Sequence, residues 1–260
     1  MEYPNLNKTE ACDIATQHWG LSVASVSQLN SYADLNFLLT TTGRQEYTLK
    51  VVTNTEGRIE EIKEITQVLG VLNKHGIKVP KPILTKGGDI YVKSDQHNTI
   101  STLQSFIPGE VLEVIPLKQP ILNDVAFQCG KIMGEIDVLL MKNVTGPWIE
   151  TNFRWNLLNT EAIKDAIAFI EEVNLSQRCR KVVSDFEKQV LPKLGEFRKG
   201  LIHGDANTGN VILTKQGDFH DKQPVRWVVN GIIDFGDMHC SYYVFEVAIL
   251  LTYLMGKSIK

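Results

Sequence analysis

The sequence is poor in the features that mark secreted, membrane-spanning and nucleic-acid-binding proteins. Only four of its 260 residues are cysteines, and no two of them form a CxxC pair, so neither a disulfide framework nor a thiolate metal site is indicated. The chain has no run of about 18 apolar residues, and its first residues lack the apolar core of a signal peptide. A formal net charge of -3 without a basic patch argues against a nucleic-acid partner. We therefore expect a cytoplasmic protein with neither a membrane nor a nucleic-acid partner.

The composition is that of a globular protein large enough to bury a full core. Hydrophobic residues make up 43% and charged residues 22% of the sequence, and neither internal repeats nor low-complexity segments occur. Pro108-Gly109 interrupts the periodic patterns and is the best candidate for a hinge. We expect an N-terminal lobe at residues 1–107 and a C-terminal lobe at residues 108–260.

Hydrophobic periodicity predicts different secondary structure on the two sides of this hinge. The N-terminal part alternates in the manner of strands around one long helical pattern, whereas helical patterns dominate beyond the hinge. The fold class is therefore α+β, with a small antiparallel sheet and one main helix followed by a mostly helical lobe. The predicted helices are Thr9–Trp19, Glu56–His75, Ile121–Met141, Thr160–Val173 and Ser176–Val190. The predicted strands include Ser22–Leu29, Leu35–Thr41, Tyr47–Val52, Val211–Leu213 and Val225–Ile233.

The polar residues that suggest chemistry form one ordered series near the C-terminus. The segment His203–Asn210 reads HGDxxxxN, and a second apolar strand further on ends in the segment Asp234–Gly236. A loop aspartate such as Asp205 can orient a substrate hydroxyl, while an asparagine and a second aspartate can hold Mg²⁺ on nucleotide phosphates. The order of loop, strand and aspartate favours phosphoryl transfer over the alternative in which both aspartates only cap turns.

These motifs resemble those of the aminoglycoside phosphotransferase and choline kinase group of small-molecule kinases, which read His-Gly-Asp where protein kinases read His-Arg-Asp. Within that group the chain is most similar to the subfamily that phosphorylates 5-hydroxy-L-lysine in lysine degradation. The closer match rests on the segments Asn30–Phe37, Phe153–Leu157, Asp234–Met238 and Tyr242–Ala248. The resemblance implies a protein kinase-like two-lobed fold, Mg²⁺ as cofactor, GTP or ATP as donor with GTP favoured, and a small amino alcohol as acceptor.

The catalytic and metal-binding roles follow from the motif. Asp205 is the expected catalytic base, because it can orient the acceptor hydroxyl for in-line attack. Asn210 and Asp234 are the expected metal ligands. His203 braces the loop or transfers a proton, and the resemblance favours bracing. Asp237 contacts substrate or a second metal, or is a solvated turn residue.

Nucleotide binding is assigned to the N-terminal part. Lys50 lies in an alternating strand, which matches the kinase lysine that holds the α- and β-phosphates. We favour Glu64 as its acidic partner. In the alternative, Gln67 occupies that site and Lys50 has a neutral partner. The loop around Ser31 lacks the glycines of a phosphate-covering loop and is otherwise an ordinary hairpin turn. The hinge backbone at Phe106 and Ile107 is expected to contact the nucleotide base.

For the acceptor pocket the candidates are Arg154, Trp155, Asn156, Asp237 and Glu246. A zwitterionic amino acid needs a cation for its carboxylate and acidic or aromatic groups for its amines. Each candidate also has an alternative reading: Arg154 as a solvated side chain, Trp155 as core packing and Glu246 as a brace between loop and helix.

Two further alternatives concern activity itself. The acceptor can instead be homoserine, choline, methylthioribose or an aminoglycoside. Members of the group continue with further helices after the Asp-Phe-Gly strand, whereas this chain ends at Lys260, so we expect a shortened form. A truncated, inactive nucleotide-binding module is the corresponding non-enzymatic alternative.

Overall fold

The computed structural model describes residues 3–144, 155–217 and 226–258. The chain forms two compact units. The first comprises Met1–Gly109 with Asn230–Ile233, and the second comprises Glu110–Val229 with Asp234–Lys260. The first boundary falls two residues beyond the expected division, and the short segment that ends in Ile233 returns to the first unit from the second.

A six-stranded antiparallel sheet forms most of the first unit. Its strands follow the order β1-β2-β3-β6-β4, and β5 also pairs with β6. The alternating burial of β2 and β3 directs Phe37, Leu39, Leu49 and Val51 into one core. The strands are β1 (Val23–Leu29), β2 (Leu35–Thr41), β3 (Glu46–Thr53), β4 (Pro82–Ile83), β5 (Val92–Ser94) and β6 (Thr99–Ser105).

Two α-helices accompany this sheet. Helix α1 (Lys8–Ile14) continues as one π-helical turn to Trp19, and Asn7 caps its N-terminus in a capping box with Glu10. Helix α2 (Arg58–Lys74) buries Ile62, Val68, Leu69 and Leu72 on the apolar stripe that the sequence predicts.

Within the described residues, the second unit contains four α-helices and several short strands. A three-stranded sheet has the order β10-β9-β7, and β11 pairs with β8 in a separate antiparallel ladder. The helices are α3 (Ile121–Asn143), α4 (Thr160–Ile167), α5 (Val173–Gln189) and α6 (Tyr243–Ser258). The strands are β7 (Glu110–Val111), β8 (Lys199–Ile202), β9 (Val211–Gln216), β10 (Arg226–Ile232) and β11 (His239–Tyr242). In residues 3–144, 155–217 and 226–258, no helix is long and apolar enough to cross a membrane.

The fold class predicted from the sequence is confirmed, but two helix ends are wrong. Helix α4 ends at Ile167 instead of Val173, and α5 begins at Val173 instead of Ser176. The cause is local, because the Glu172 carboxylate accepts a hydrogen bond from the Leu175 N–H and caps α5 three residues earlier than expected.

Candidate active site

The HGD loop follows directly after β8 and is held by β11. Ile202 pairs with His239, so the end of β8 lies beside the start of β11. Gly204 has φ +79°, and a Cβ at this position would lie 2.3 Å from the Asp237 carbonyl oxygen. Glycine is therefore required here both by the backbone conformation and by the close approach of the next segment.

Two asparagines fix the Asp205 carboxylate within this loop. Asn207 Nδ2 donates to Asp205 Oδ2 at 2.7 Å, and Asn210 Nδ2 donates to the same oxygen at 3.0 Å. Asn210 also donates to the Asp205 carbonyl at 2.9 Å, and its side chain is 8% exposed. Asp205 itself is half-buried. The Asp205 carboxylate is thus held in one orientation while remaining partly exposed. Asn207 was missed in the sequence, because an unassigned loop position gives no signal of its side-chain partners.

His203 is buried and contacts both the HGD loop and the segment after β10. Its side chain is 0% exposed, and its Nδ1 accepts a hydrogen bond from the Asp205 N–H at 3.3 Å. Its ring packs on Phe235, with 4.6 Å between ring centroids. Both contacts support the bracing role, because they tie the loop to the Asp-Phe-Gly segment.

Asp234 follows the apolar strand β10 and has an unusual backbone conformation. Its φ of 61° and ψ of 74° are left-handed, and the 3₁₀ turn Phe235–Asp237 begins directly after it. Aspartate tolerates this region better than most residues, and such conformations are concentrated at functional sites. The turn carries Asp237, whose carbonyl oxygen contacts His239 Nδ1 at 2.8 Å.

Asn210 and Asp234 suit a hard divalent cation such as Mg²⁺. The amide nitrogen of Asn210 is used by Asp205, which leaves its amide oxygen as the group to offer a metal. Asp234 contributes a carboxylate from an exposed position. Mg²⁺ retains several waters and needs few protein ligands when phosphates supply the others. The described residues contain no cluster of three or more His, Cys, Asp or Glu side chains placed to hold a metal.

Glu246 lies beneath the loop and not in an open pocket. It is 0% exposed, and its Oε2 accepts hydrogen bonds from the His203 N–H at 2.5 Å and the Gly204 N–H at 3.3 Å. This placement corrects its assignment to the acceptor pocket and agrees with the alternative, a brace between loop and helix. Burial, and after it the negative charge of Asp137, raise the pKa of Glu246 to about 7.

Asp137 on α3 adds a second buried carboxyl to this region. Its Oδ1 and the Glu246 Oε1 are both buried and have no hydrogen-bond partner among the described residues. Burial raises the pKa of Asp137 to about 7. Tyr243, whose pKa is raised by burial and then by the charge of Asp137, belongs to the same group, and the positive charge of Arg198 opposes that shift. Two carboxyls that lack a counterion favour the protonated form over ionisation.

We expect the protein to lose stability as the pH rises towards and through about 7. The unfolded chain releases these protons near 3.8 for Asp137 and 4.5 for Glu246, whereas the folded protein holds both to about 7. Because the native state then binds more protons than the unfolded state, the free energy of unfolding falls with increasing pH in this window. Asp137→Asn removes one titrating group and should flatten the fall.

Thermal unfolding at pH 5 and pH 8 measures this effect. Between the two pH values the Tm of Asp137→Asn should fall less than that of wild type, by roughly 2 to 4 °C for each kcal/mol of stability that the Asp137 titration costs. Asp165→Asn is the control, because Asp165 is exposed on a neighbouring helix. Equal pH dependence of wild type and Asp137→Asn would contradict the assignment.

Lys50 in the first unit pairs with a residue that sequence reasoning did not single out. Its Nζ lies 2.9 Å from Asp34 Oδ2. The favoured partner, Glu64, makes no ion pair with any described residue, and burial followed by the charge of Glu61 raises its pKa. The register explains the difference. Asn36 pairs with Lys50, and Asp34 lies in the bend directly before β2, two residues from this cross-strand partner.

The other nucleotide-site candidates also lie in the first unit. Ser31 lies in the exposed loop before β2. Phe106 follows β6, and its N–H donates to the Glu46 carbonyl at 3.2 Å. Asn230 donates to the Pro108 carbonyl at 2.8 Å, which fixes the segment after Ile107. Gln67, the alternative to Glu64, is exposed on α2.

The acceptor candidates near residue 155 are only partly described. Arg154 lies outside the described residues. Trp155 is 57% exposed, which does not agree with core packing. Asn156 accepts a hydrogen bond from the Leu158 N–H at 3.1 Å and thereby shapes the turn that enters α4.

Glu113 is a candidate that the sequence gave no reason to choose. Its N–H donates to the carbonyl of Thr208 in the HGD loop at 2.9 Å, and its own carbonyl accepts from Lys257 at 3.0 Å. A Cβ added to Gly209 would lie 3.4 Å from its Oε2. Burial, and then the charges of Asp205 and Glu113, raise the pKa of Tyr253. Glu113 therefore places a second carboxylate beside the loop that carries Asp205, and this carboxylate has no partner among the described residues.

The fold and these residues define a class. An antiparallel N-terminal sheet, a helical second unit, an HGDxxxxN loop and a strand that ends in Asp-Phe-Gly are the parts of a kinase-like phosphotransferase. Two solved structures with this fold cover most of the chain. The amicoumacin kinase hAmiN, in complex with AMP-PNP, Ca²⁺ and Ami, has a TM-score of 0.66 at 17% identity over 98% of this chain and 71% of its own. A microcompartment-associated aminopropanol kinase has a TM-score of 0.62 at 18% identity over 95% of this chain and 74% of its own.

Sequence comparison gives the family. Residues 25–258 match the model of the phosphotransferase enzyme family, APH, and the chain belongs to that family. Hydroxylysine kinase of Xenopus laevis is 30% identical over 98% of this chain and 71% of its own length. Hydroxylysine kinase of Danio rerio is 27% identical over 98% of this chain and 72% of its own length. The protein is thus a phosphotransferase with an alcohol group as acceptor.

Proposed function

We propose that the protein transfers the γ-phosphate of a nucleoside triphosphate, with GTP favoured over ATP, to the hydroxyl of 5-hydroxy-L-lysine. The observation that carries the proposal is a pair of carboxylates, one in the HGD loop and one beside it. Asp205 is held by Asn207 and Asn210, and Glu113 lies next to the same loop. Similarity to relatives named hydroxylysine kinase supports the choice of acceptor.

The residues of the loop account for the transfer step. Asp205 accepts a hydrogen bond from the acceptor hydroxyl and orients its oxygen for in-line attack on the γ-phosphorus. Because the transition state is loose, correct positioning contributes more than basicity. Asn210 and Asp234 would hold Mg²⁺, which neutralises charge on the phosphates when it is bound. The brace from Glu246 to the backbone of His203 and Gly204 keeps the loop in place during the reaction.

Glu113 provides a reason to expect an amino alcohol. In 5-hydroxylysine the hydroxyl and the ε-ammonium occupy neighbouring carbon atoms. When the hydroxyl is bound at Asp205, the ammonium therefore lies within a few ångströms of that hydroxyl. We expect the Glu113 carboxylate to accept hydrogen bonds from the ammonium there. Asp237 remains the other acidic candidate for this contact. Arg154 is the proposed partner of the α-carboxylate.

Acceptor preference is tested by nucleoside diphosphate formation. GTP and ATP are each supplied with 5-hydroxylysine, aminopropanol, homoserine, choline or an aminoglycoside. We expect the highest kcat/KM with 5-hydroxylysine, and GTP to be at least as good a donor as ATP. Preference for choline would refute the acceptor assignment, and no turnover with any acceptor would favour an inactive nucleotide-binding module.

Two variants separate the contacts to this acceptor. Arg154→Ala should lower kcat/KM for 5-hydroxylysine. It should leave kcat/KM for aminopropanol unchanged, because aminopropanol has no carboxylate. Glu113→Gln should lower kcat/KM for both. Loss of one charge-assisted hydrogen bond costs about 1.5 to 3 kcal/mol, or roughly a tenfold to 150-fold decrease. Glu110→Gln is the matched control, since Glu110 is exposed in the neighbouring strand β7. Unchanged kinetics of both variants would contradict the proposed acceptor contacts.

A further inference from the structure

The ion pair between Lys50 and Asp34 occupies the lysine that is assigned to the nucleotide phosphates. Lys50 Nζ and Asp34 Oδ2 are 2.9 Å apart, and the two side chains are 21% and 23% exposed. A pair buried to this degree is screened by salt less than a fully exposed one. Lys50 is therefore already engaged by an anionic group in the protein before a phosphate arrives.

Asp34 approaches the lysine from the loop that is expected to cover the phosphates. It is the last residue of the segment between β1 and β2, and it precedes Leu35, which pairs with Val51. A carboxylate from this loop and phosphate oxygens beneath it would approach the same ammonium group. Two anions held close together repel each other, so both cannot bind Lys50 at full strength.

Asn36 offers Lys50 a second acceptor on the same face. It is the direct cross-strand partner of Lys50 in the β2–β3 ladder. Its Oδ1 is buried and has no hydrogen-bond partner among the described residues. A buried amide oxygen without a donor is unfavourable. A lysine ammonium has three N–H donors, so Lys50 can turn from Asp34 towards Asn36 and remain satisfied.

We propose that Asp34 is an internal competitor of the nucleotide for Lys50, displaced when phosphates bind and returning when the product nucleoside diphosphate leaves. The proposal rests on the proposed function, because it takes Lys50 as a ligand of the α- and β-phosphates. Its consequence is weaker binding of the diphosphate product than Lys50 alone would give. Asp34 thereby sets nucleotide affinity without touching the reacting atoms.

Calorimetric titration with GDP and with guanosine tests this competition, and ADP with adenosine serves if the adenine series binds better. Asp34→Asn removes the charge and keeps the shape of the side chain. We expect diphosphate to bind roughly twofold to fivefold more tightly to Asp34→Asn, in keeping with the strength of a partly exposed ion pair. Guanosine, which has no phosphate to compete for Lys50, should bind equally to variant and wild type.

Asp95→Asn is the matched control. Asp95 forms an ion pair with Lys93 at the same distance, 2.9 Å, but on the exposed surface of the same unit. Asp95→Asn should leave the affinities for GDP and for guanosine unchanged. Lys50→Met supplies the second comparison, because competition requires the lysine. In the Lys50→Met background, Asp34→Asn should no longer tighten diphosphate binding.

The possible results separate this proposal from the proposed function. Weaker diphosphate binding by Asp34→Asn would make Asp34 a positioning residue and overturn competition. Tightening that persists in the Lys50→Met background would indicate direct repulsion between Asp34 and phosphate, and would also overturn it. A third result would be that wild type binds diphosphate no better than guanosine and that Lys50→Met changes neither affinity. Lys50 would then have no role in nucleotide binding, and the proposed competition would be overturned as well.

Discussion

Asp205→Asn is expected to lower kcat by about 10² to 10⁴-fold, the usual range for loss of a residue in acid-base catalysis. The substitution keeps the shape of the side chain but removes its charge. It also replaces an acceptor oxygen by an NH₂ group that meets the donors Asn207 Nδ2 and Asn210 Nδ2. The acceptor hydroxyl then loses the group that orients it.

Nucleotide binding should be largely unaffected by the same substitution, because Asp205 is assigned to the acceptor and not to the phosphates. Diphosphate formation gives kcat, and calorimetry with a non-hydrolysable triphosphate analogue gives the affinity. Asp185→Asn is the control, since Asp185 forms a surface ion pair with Lys181 on α5. Turnover near that of wild type would remove Asp205 from the role of base.

The parts of the site that the sequence predicts are those whose residues lie close together along the chain. The HGD loop, the following strand β9 and the aspartate after β10 each lie within a short stretch of chain. Their residue types are restricted by backbone geometry, as at Gly204, or by chemistry, as at Asp205 and Asn210. Hydrophobic periodicity similarly predicts β1, β2 and β3 of the first sheet and the helices α2 and α3 to within a few residues.

The contacts that support the site depend on pairings between distant segments. Strands β8 and β11 are four residues each and pair across about 40 residues of sequence, and neither has enough alternation to be recognised alone. Glu246 is recognisable as a brace only when α6 is placed beneath the His203–Gly204 backbone. Burial, and not residue type, distinguishes this role from contact with substrate.

The partner of Lys50 shows the same limit at a smaller scale. The sequence directs attention to Glu64, because helix α2 follows β3 and carries several acidic residues. Asp34 becomes the partner through the β2–β3 register, which places Asn36 opposite Lys50. A shift of one residue in this register would place a residue other than Asn36 opposite Lys50 and would move the bend at Asp34 relative to the lysine. Register depends on packing of the whole sheet, so the ion pair was not predictable from the local pattern.

Asp234→Ala is expected to weaken Mg²⁺-dependent triphosphate binding by roughly tenfold to 150-fold. This range corresponds to the loss of about 1.5 to 3 kcal/mol for a charge-assisted contact. Asp234 is assigned as the carboxylate ligand of the metal, and Asn210 alone provides only a neutral oxygen. The effect should therefore appear in nucleotide affinity, in contrast to that of Asp205→Asn.

The left-handed backbone of Asp234 requires a second variant. Alanine at φ 61° is strained, so Asp234→Ala alone does not separate loss of the carboxylate from distortion of the turn Phe235–Asp237. Asp234→Gly removes the carboxylate and tolerates this conformation. Both variants should lose Mg²⁺-dependent affinity equally if the carboxylate is the cause.

Calorimetric titrations with and without Mg²⁺ decide between the two explanations. Chelation of Mg²⁺ should reduce wild-type affinity to the level of the variants, and the variants themselves should respond little to the metal. If Asp234→Gly retained the Mg²⁺ dependence of wild type while Asp234→Ala lost it, backbone strain would account for the alanine result. The metal would then have to be held through groups other than the Asp234 carboxylate.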